Sequence, residues 1–340
     1  MLLFLILLIL AAAVLEKWSV NNALRGITAF QKAENTVIEP GQDAVLITTV
    51  ENRSPRLHLF VRIAAPDQSG STTTYLMPWQ RCETRFTVPL EKRGRYRYND
   101  LLLSGGDFLG LSEMKLNFPQ FLEVVVRPAR LNDDRIFHAL GGFFGDHSVK
   151  RHTQEDPVLT LGIREYTGRE PMKMISWNRS AQLGQLMVNN YDYTVEQTVD
   201  VVFNAFTPSV DTVSEQKFED CCSLTRDVCE WLCEKKLRYR FRTNVISAGS
   251  VNIFEHLLDG MGEGHLDTIL EGLGRAVFSS ACRVSTLFKR LKADAQRDRD
   301  IIFITPYVDG EIRSCIRELE TVSSCRILVL TPPDKEGEET

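Results

Sequence analysis

Between residues 27 and 127 the apolar positions come in short runs broken by turn residues. Residues 44–50, 57–63, 84–88, 95–98 and 122–126 are rich in β-branched and aromatic side chains, and Glu39-Pro40-Gly41 and Pro66 separate them. About a hundred residues with this many short strands predict an immunoglobulin-like sandwich. From residue 194 the period changes. Residues 198–203, 237–246, 300–305 and 326–330 read as strands, and residues 217–235, 266–278, 283–295 and 311–320 read as helices. Strands alternating with helices predict a mostly parallel sheet covered on both faces, a Rossmann-like α/β domain whose ligands sit beyond the carboxyl ends of the strands. The expected organisation is a helix at 1–20, a sandwich at 27–128, a junction at 129–192, an α/β domain at 193–333 and a disordered charged tail at 334–340.

The first fifteen or so residues are wholly apolar, and Lys17, Trp18, Arg25 and Lys32 follow them. A helix there spans about 22 Å at about 1.5 Å per residue, short of a hydrocarbon core of about 30 Å. A snorkelling lysine and an interfacial tryptophan extend it, so the pattern is that of a single-pass membrane anchor with the body on the cytoplasmic side. Ala11-Ala12-Ala13 keeps a cleaved secretory signal open as an alternative.

The junction has an odd composition for a linker. Arg164, Arg169, Lys173 and Arg179 interleave with Glu165 and Glu170, and Tyr166, Ile175, Trp177 and Leu186 recur among them. The large groups need a surface to cover, while the charges need water or partners. This predicts a clamp that buries Trp177 and Tyr166 on one domain. The basic groups either pair with Glu165 and Glu170 or dock an acidic protein. Gly141-Gly142-Phe143-Phe144-Gly145 reads as a flexible loop tip, since it lacks the order of a phosphate-cradling loop.

Arg164-Glu165-Tyr166, an acidic-proline pair, Ile175-x-Trp177, Ser180-Ala181, Gly184 and Leu186-x-Val188 together resemble the signature of the bacterial family called domain of unknown function 58. Arg93-Gly94-Arg95-Tyr96 and Asp107-Phe108-Leu109-Gly110-Leu111 are similar to two further motifs of that family. Arg169-Glu170, Ser176 and Asn178 depart from its pattern, as in a divergent member. The resemblance implies amino-terminal membrane helices, a β-sandwich and a von Willebrand factor A-like domain. It also implies work beside a MoxR-type AAA+ ATPase in the assembly or maturation of other proteins.

Such a domain would bind a divalent cation through carboxylates at the strand ends, because hard cations need oxygen ligands whose charge offsets dehydration. Here the first strand ends Asn204-Ala205-Phe206-Thr207-Pro208, His265 follows Gly264, and the fourth strand ends Thr305-Pro306. Asn204, Phe206, His265 and Thr305 are therefore positions of a degenerate metal site. A weak site from Asn204, Asp211 and Asp267 stays open, and no cofactor is expected.

A net charge of −5 removes any general attraction to nucleic acid. The eight cysteines show no C-x-x-C pair and no disulfide-scaffold spacing. Cys222, Cys229 and Cys233 share a helix face, for which buried core thiols are the expectation. Glu255, His256, Asp259, Glu263, His265 and Asp267 form the densest acid and histidine cluster, read as a solvated acidic loop. No sequence pattern for nucleophilic or metal-assisted catalysis is present. The reading is a membrane-anchored, non-enzymatic scaffold with protein partners, whose contact residues are Arg164, Glu165, Tyr166, Arg169, Trp177 and Arg179. A secreted adhesion module and a metal-dependent hydrolase around His256 and His265 are the alternatives.

Overall fold

The alternation in the first half folds into sheet, as its burial pattern requires. The computed structural model describes residues 2–67, 69–106, 112–145, 160–168, 172, 175–191, 198–249, 254, 257–293, 299–323 and 325–333. Helix α1 (Leu2–Asn22) leads into strands β1 (Ile27–Ala33), β2 (Val37–Ile38), β3 (Asp43–Asn52), β4 (His58–Ala64), β5 (Ser71–Leu76), β6 (Arg81–Pro89), β7 (Gly94–Gly106) and β8 (Glu113–Val126). They form two sheets, ordered β1-β3-β6 and β2-β8-β7-β4-β5. Leu46, Val50, Val61, Ile63, Leu76, Leu101, Leu103 and Val124 fill the space between them and are buried. Alternate residues point outward, so each strand contributes one face to this core.

Helix α2 (Asp134–Gly145) follows, then β9 (Thr160–Glu165), α3 (Trp177–Leu183) and β10 (Met187–Tyr191). Next come β11 (Thr198–Phe203), α4 (Thr212–Glu234), β12 (Arg238–Thr243), β13 (Val245–Ser247), α5 (Glu263–Gly274), β14 (Ala276–Ser280), α6 (Val284–Ala293), β15 (Asp300–Ile304), α7 (Gly310–Ser323) and β16 (Ile327–Leu330). The four strands β12-β11-β15-β16 run parallel. Val199, Val201 and Phe203 pack against Phe218, Cys221, Cys222 and Leu224 of α4 and against Leu270 and Leu273 of α5. Val202, Ile301 and Phe303 face Leu287 and Phe288 of α6 and Ile312 and Leu319 of α7. Burial on both faces explains the unbroken apolar run of β11 and β15. Near the amino ends, Asp200 and Asp259 close an ion network with Arg240 and Arg299.

Taken whole, the chain is a mixed α/β molecule, which corrects the expected immunoglobulin-like sandwich joined to a von Willebrand A-like domain. The two-sheet unit sets three strands against five, and the larger sheet admits a parallel β2–β8 pair. In the second half, the described residues between β12 and β15 do not widen the parallel sheet. They form a separate antiparallel pair, β13–β14. The anchor is corrected too. Among the described residues, no helix is long and apolar enough to cross a membrane. The last turns of α1 carry Glu16, Lys17, Asn21 and Asn22, and Glu16 accepts a hydrogen bond from Ser112 Oγ (2.7 Å). The single-pass placement with a cytoplasmic body, and the membrane as a partner through this helix, fall with it.

Three local expectations also change. Residues 141–145 end helix α2 instead of forming a loop tip. Ile136 and Leu140 bury one face, and Phe144 stacks on Trp231 of α4 at 5.2 Å between centroids. The helix expected over 266–278 stops at Gly274, where a β-carbon would lie 2.6 Å from Val125 Cγ1 and 2.8 Å from Val126 O. Glu263, His265 and Asp267 lie on α5 and not in an acidic loop. The Asp107–Leu111 motif and the tail 334–340 lie outside the described residues.

The two halves are joined by buried arginines. Arg93, with its side chain 6% exposed, donates to Glu219 Oε1 (2.5 Å) and Oε2 (2.7 Å) and to the carbonyls of Leu273 and Ala276. Arg226, 4% exposed, donates from Nη1 to Glu39 Oε2 and Pro128 O, both at 2.5 Å, and from Nε to Glu230 Oε1 (2.8 Å). Arg275 reaches Glu123, and Arg127 reaches Glu39 (3.2 Å) and Asp267 (2.7 Å). A planar guanidinium can satisfy several acceptors at once, which makes arginine suited to a closed interface.

Candidate functional site

The carboxyl end of the parallel sheet is the place where such a fold binds ligands, and polar residues meet there. Asn204, Asn244 and Thr305 each directly follow a strand, after Phe203, Thr243 and Ile304. All three are buried. Asn204 Nδ2 donates to Thr305 Oγ1 (3.0 Å), and Thr305 Oγ1 donates to Tyr307 O (2.9 Å). Asn204 Oδ1 accepts from Asn244 Nδ2 (2.9 Å) and from Phe206 N (3.1 Å). Asn244 completes its set with Cys282 O (3.0 Å) and Ala205 N (2.7 Å). Every side-chain group in this cluster is neutral and has its partner inside the protein. A cluster tied together in this way fastens four loop segments to one another through neutral hydrogen bonds.

Of the four positions expected to mark a degenerate metal site, the structure therefore brings Asn204 and Thr305 together and adds the backbone of Phe206. His265 lies elsewhere. Its ring stands edge-on to Tyr239 at 4.8 Å between centroids, and desolvation lowers its pKa. Asp211 caps α4 through Ser214 N (2.7 Å), and Asp267 pairs with Arg127 (2.7 Å). His256 lies outside the described residues. Among the described residues, no group of three His, Cys, Asp or Glu is placed to hold a metal ion. Asn244 was missed, though a small polar residue after each of three neighbouring parallel strands was a readable signal.

All eight cysteines are free, and burial pushes the Cys222 thiol up to about 12. A buried thiol in that range stays protonated and inert. Burial likewise pushes the Tyr307 hydroxyl up to about 12, with Asp309 and Glu311 adding repulsion.

The junction forms a small unit of its own. β9 and β10 pair antiparallel, Ile175 bridges Val188, and α3 packs on β10. Ser180, buried, ties the unit together: its Oγ donates to Ser176 O (2.8 Å) and accepts from Met187 N (2.9 Å). Gly184 ends α3 in the left-handed conformation that glycine adopts without strain. Ile175, Met187 and Val188 are its core. Trp177 is 61% exposed, which overturns the expected clamp. Met172, Leu183 and Leu186 are exposed as well. Tyr166 is half-buried, and Arg164 and Glu165 are exposed. Glu165 accepts from Gln185 (3.0 Å) and Arg179 donates to Gln182 (3.1 Å). Arg169, Glu170 and Lys173 lie outside the described residues.

No family model matches this chain, and no curated protein matches it. Among solved structures, it is similar to the alkylpurine DNA glycosylase AlkC of Pseudomonas fluorescens bound to DNA containing an abasic site analogue. The identity is 12%, the TM-score is 0.19, and the likeness spans 35% of this chain and 36% of that one. So slight a likeness carries neither fold nor function.

Proposed function

We propose that this chain is a non-enzymatic adaptor whose junction unit receives a partner protein. One observation carries the reading: a small folded unit turns Trp177, Leu183 and Leu186 outward while its own core is already filled by Ile175, Met187 and Val188. Large apolar groups exposed on one small unit suit a contact surface, and tryptophan and arginine dominate the energetics of such contacts. The family resemblance adds a partner class, a MoxR-type AAA+ ATPase, and a role in assembling or maturing other proteins.

The test is a calorimetric titration of the purified chain with a purified MoxR-type ATPase from the same cell. Trp177→Ala combined with Leu183→Ala is expected to weaken binding at least tenfold while leaving the melting temperature unchanged, because both side chains are exposed. Absence of binding by the parent chain overturns the partner class. Equal binding by the folded double variant overturns the surface.

A further inference from the structure

A second surface, at the β5–β6 turn, holds a strained tryptophan. Gln80 N donates to Met77 O (3.2 Å), closing a turn with Pro78 second and Trp79 third. Trp79 has φ +62°, which is the third position of a type II turn, where glycine or asparagine is favoured. A bulky residue there is an outlier that surrounding structure must enforce. Yet Trp79 is 70% exposed, so no packing contact explains it.

The enforcement comes from Asn52, which is buried. Its Nδ2 donates to both Arg56 O (2.7 Å) and Met77 O (2.8 Å), and its backbone N donates to Gln80 O (2.9 Å). Its Oδ1 accepts from Ser54 N (3.0 Å) and Ser54 Oγ (2.7 Å). Gln80 Oε1 accepts from Met77 N (2.8 Å). One buried side chain thus staples the segment at Arg56 to the turn at Met77, and Leu57, Met77 and Trp79 of these two segments are exposed. Around them stand Arg25, Arg53, Arg56 and Arg81, all exposed. Glu51 pairs with Arg53 and Glu83 with Arg81, which leaves the rim positively charged.

We infer that the Met77–Trp79 turn is a preformed plug for an apolar pocket rimmed by carboxylates on another protein. Preorganisation decides the class of partner. Holding the backbone of the turn rigid lowers the entropy lost on docking, an advantage that counts only against a pocket of defined shape. A lipid surface has no such shape and rewards no strained backbone. Excess arginine around the plug complements an acidic rim and speeds encounter.

The test uses the full chain, immobilised, against a phage library of random twelve-residue peptides. The parent is expected to enrich peptides that carry aspartate or glutamate around an apolar anchor. Trp79→Gly is the informative variant, because glycine suits the turn. It should melt at or above the parent temperature yet bind the enriched peptides at least tenfold more weakly. Arg56→Glu should weaken the same peptides and steepen their loss with salt less than the parent shows. No enriched peptide set, or equal binding by Trp79→Gly, overturns the inference. Trp79-dependent partition onto phosphatidylglycerol vesicles without peptide enrichment assigns the turn to lipid and overturns it as well.

Discussion

Replacing Arg226 by methionine tests whether the two halves of the chain are held together by their buried guanidinium groups. Methionine keeps much of the stem and removes the charge. Cutting one member out of a buried ion pair costs about 3–5 kcal/mol when the other is left stranded. Here Glu39 keeps Arg127 (3.2 Å) and Glu230 keeps Arg130 (2.8 Å), so neither carboxylate is stranded. The loss that remains is the donor to Pro128 O, about 1–3 kcal/mol for an acceptor left unsatisfied. Weakened attraction on the two carboxylates adds to it. A total of about 3 kcal/mol is expected. An unfolding entropy of about 2.1 cal/mol/K per residue makes the 340 residues worth about 0.7 kcal/mol/K, so the melting temperature should fall by about 4 °C. Scanning calorimetry reads this shift, and a cycle with Glu39→Gln isolates the contact across the halves. Coupling between the two substitutions should be about 1–2 kcal/mol. A variant that melts within about 1 °C of the parent, with no coupling to Glu39, refutes the argument that this contact fastens the halves.

Three further outcomes follow from the same geometry. Gly274→Ala should destabilise by about 1–3 kcal/mol in chemical denaturation despite alanine's better helix propensity, because the new carbon meets Val125 and Val126 O. Asn244→Ala should cost about 2–3 kcal/mol, since Ala205 N and Asn204 Oδ1 lose partners in a buried cluster. The chain should also lose stability in acid. Desolvation raises Glu123 and Glu230, but hydrogen bonds and charge from Arg95 and Arg275, and from Arg130 and Arg226, outweigh it and depress both. A depressed carboxylate contributes stability above its unfolded pKa of about 4.3 and loses it as pH falls through the lower folded value. Melting temperature should therefore drop steeply below about pH 4, and a flat profile there would contradict the assigned shifts.

Strand and helix positions were largely legible because burial imposes a period. β3 lies over the run expected at 44–50, and β11 and β15 over the runs expected at 198–203 and 300–305. What misled was chemistry that competes with the period. Gly141 and Gly142 read as a loop, although Ile136 and Leu140 stand four apart and bury one helix face. Apolar residues at the start of α1 read as an anchor, although the helix continues through Glu16 to Asn22 and joins the two-sheet unit through Ser112 and Leu24. The antiparallel β13–β14 pair left no pattern of its own, because strands this short carry too few alternations to register.

The candidate sites were legible in a different degree, since position along a strand is local while orientation is not. Asn204 and Thr305 were found because a residue that follows a parallel strand must emerge at the sheet's carboxyl edge. That they bond each other depends on Asn244, which arrives from the far side of β11 and cannot be seen from either neighbour. Trp177 shows the converse. Its surroundings in sequence are mixed, and composition alone assigns so large an apolar group to the interior. Ile175, Met187 and Val188 are buried in the unit, while Trp177 is left exposed. Arg93 sits in a motif that reads as hairpin chemistry, yet Gly94 opens β7 and the guanidinium bridges to Glu219 across the halves. A side chain's role at an interface is fixed by the surface it meets, and that surface lies 126 residues away. The buried arginines join the two halves, Ser180 ties the junction unit within itself, and Asn52 of β3 holds the Trp79 turn.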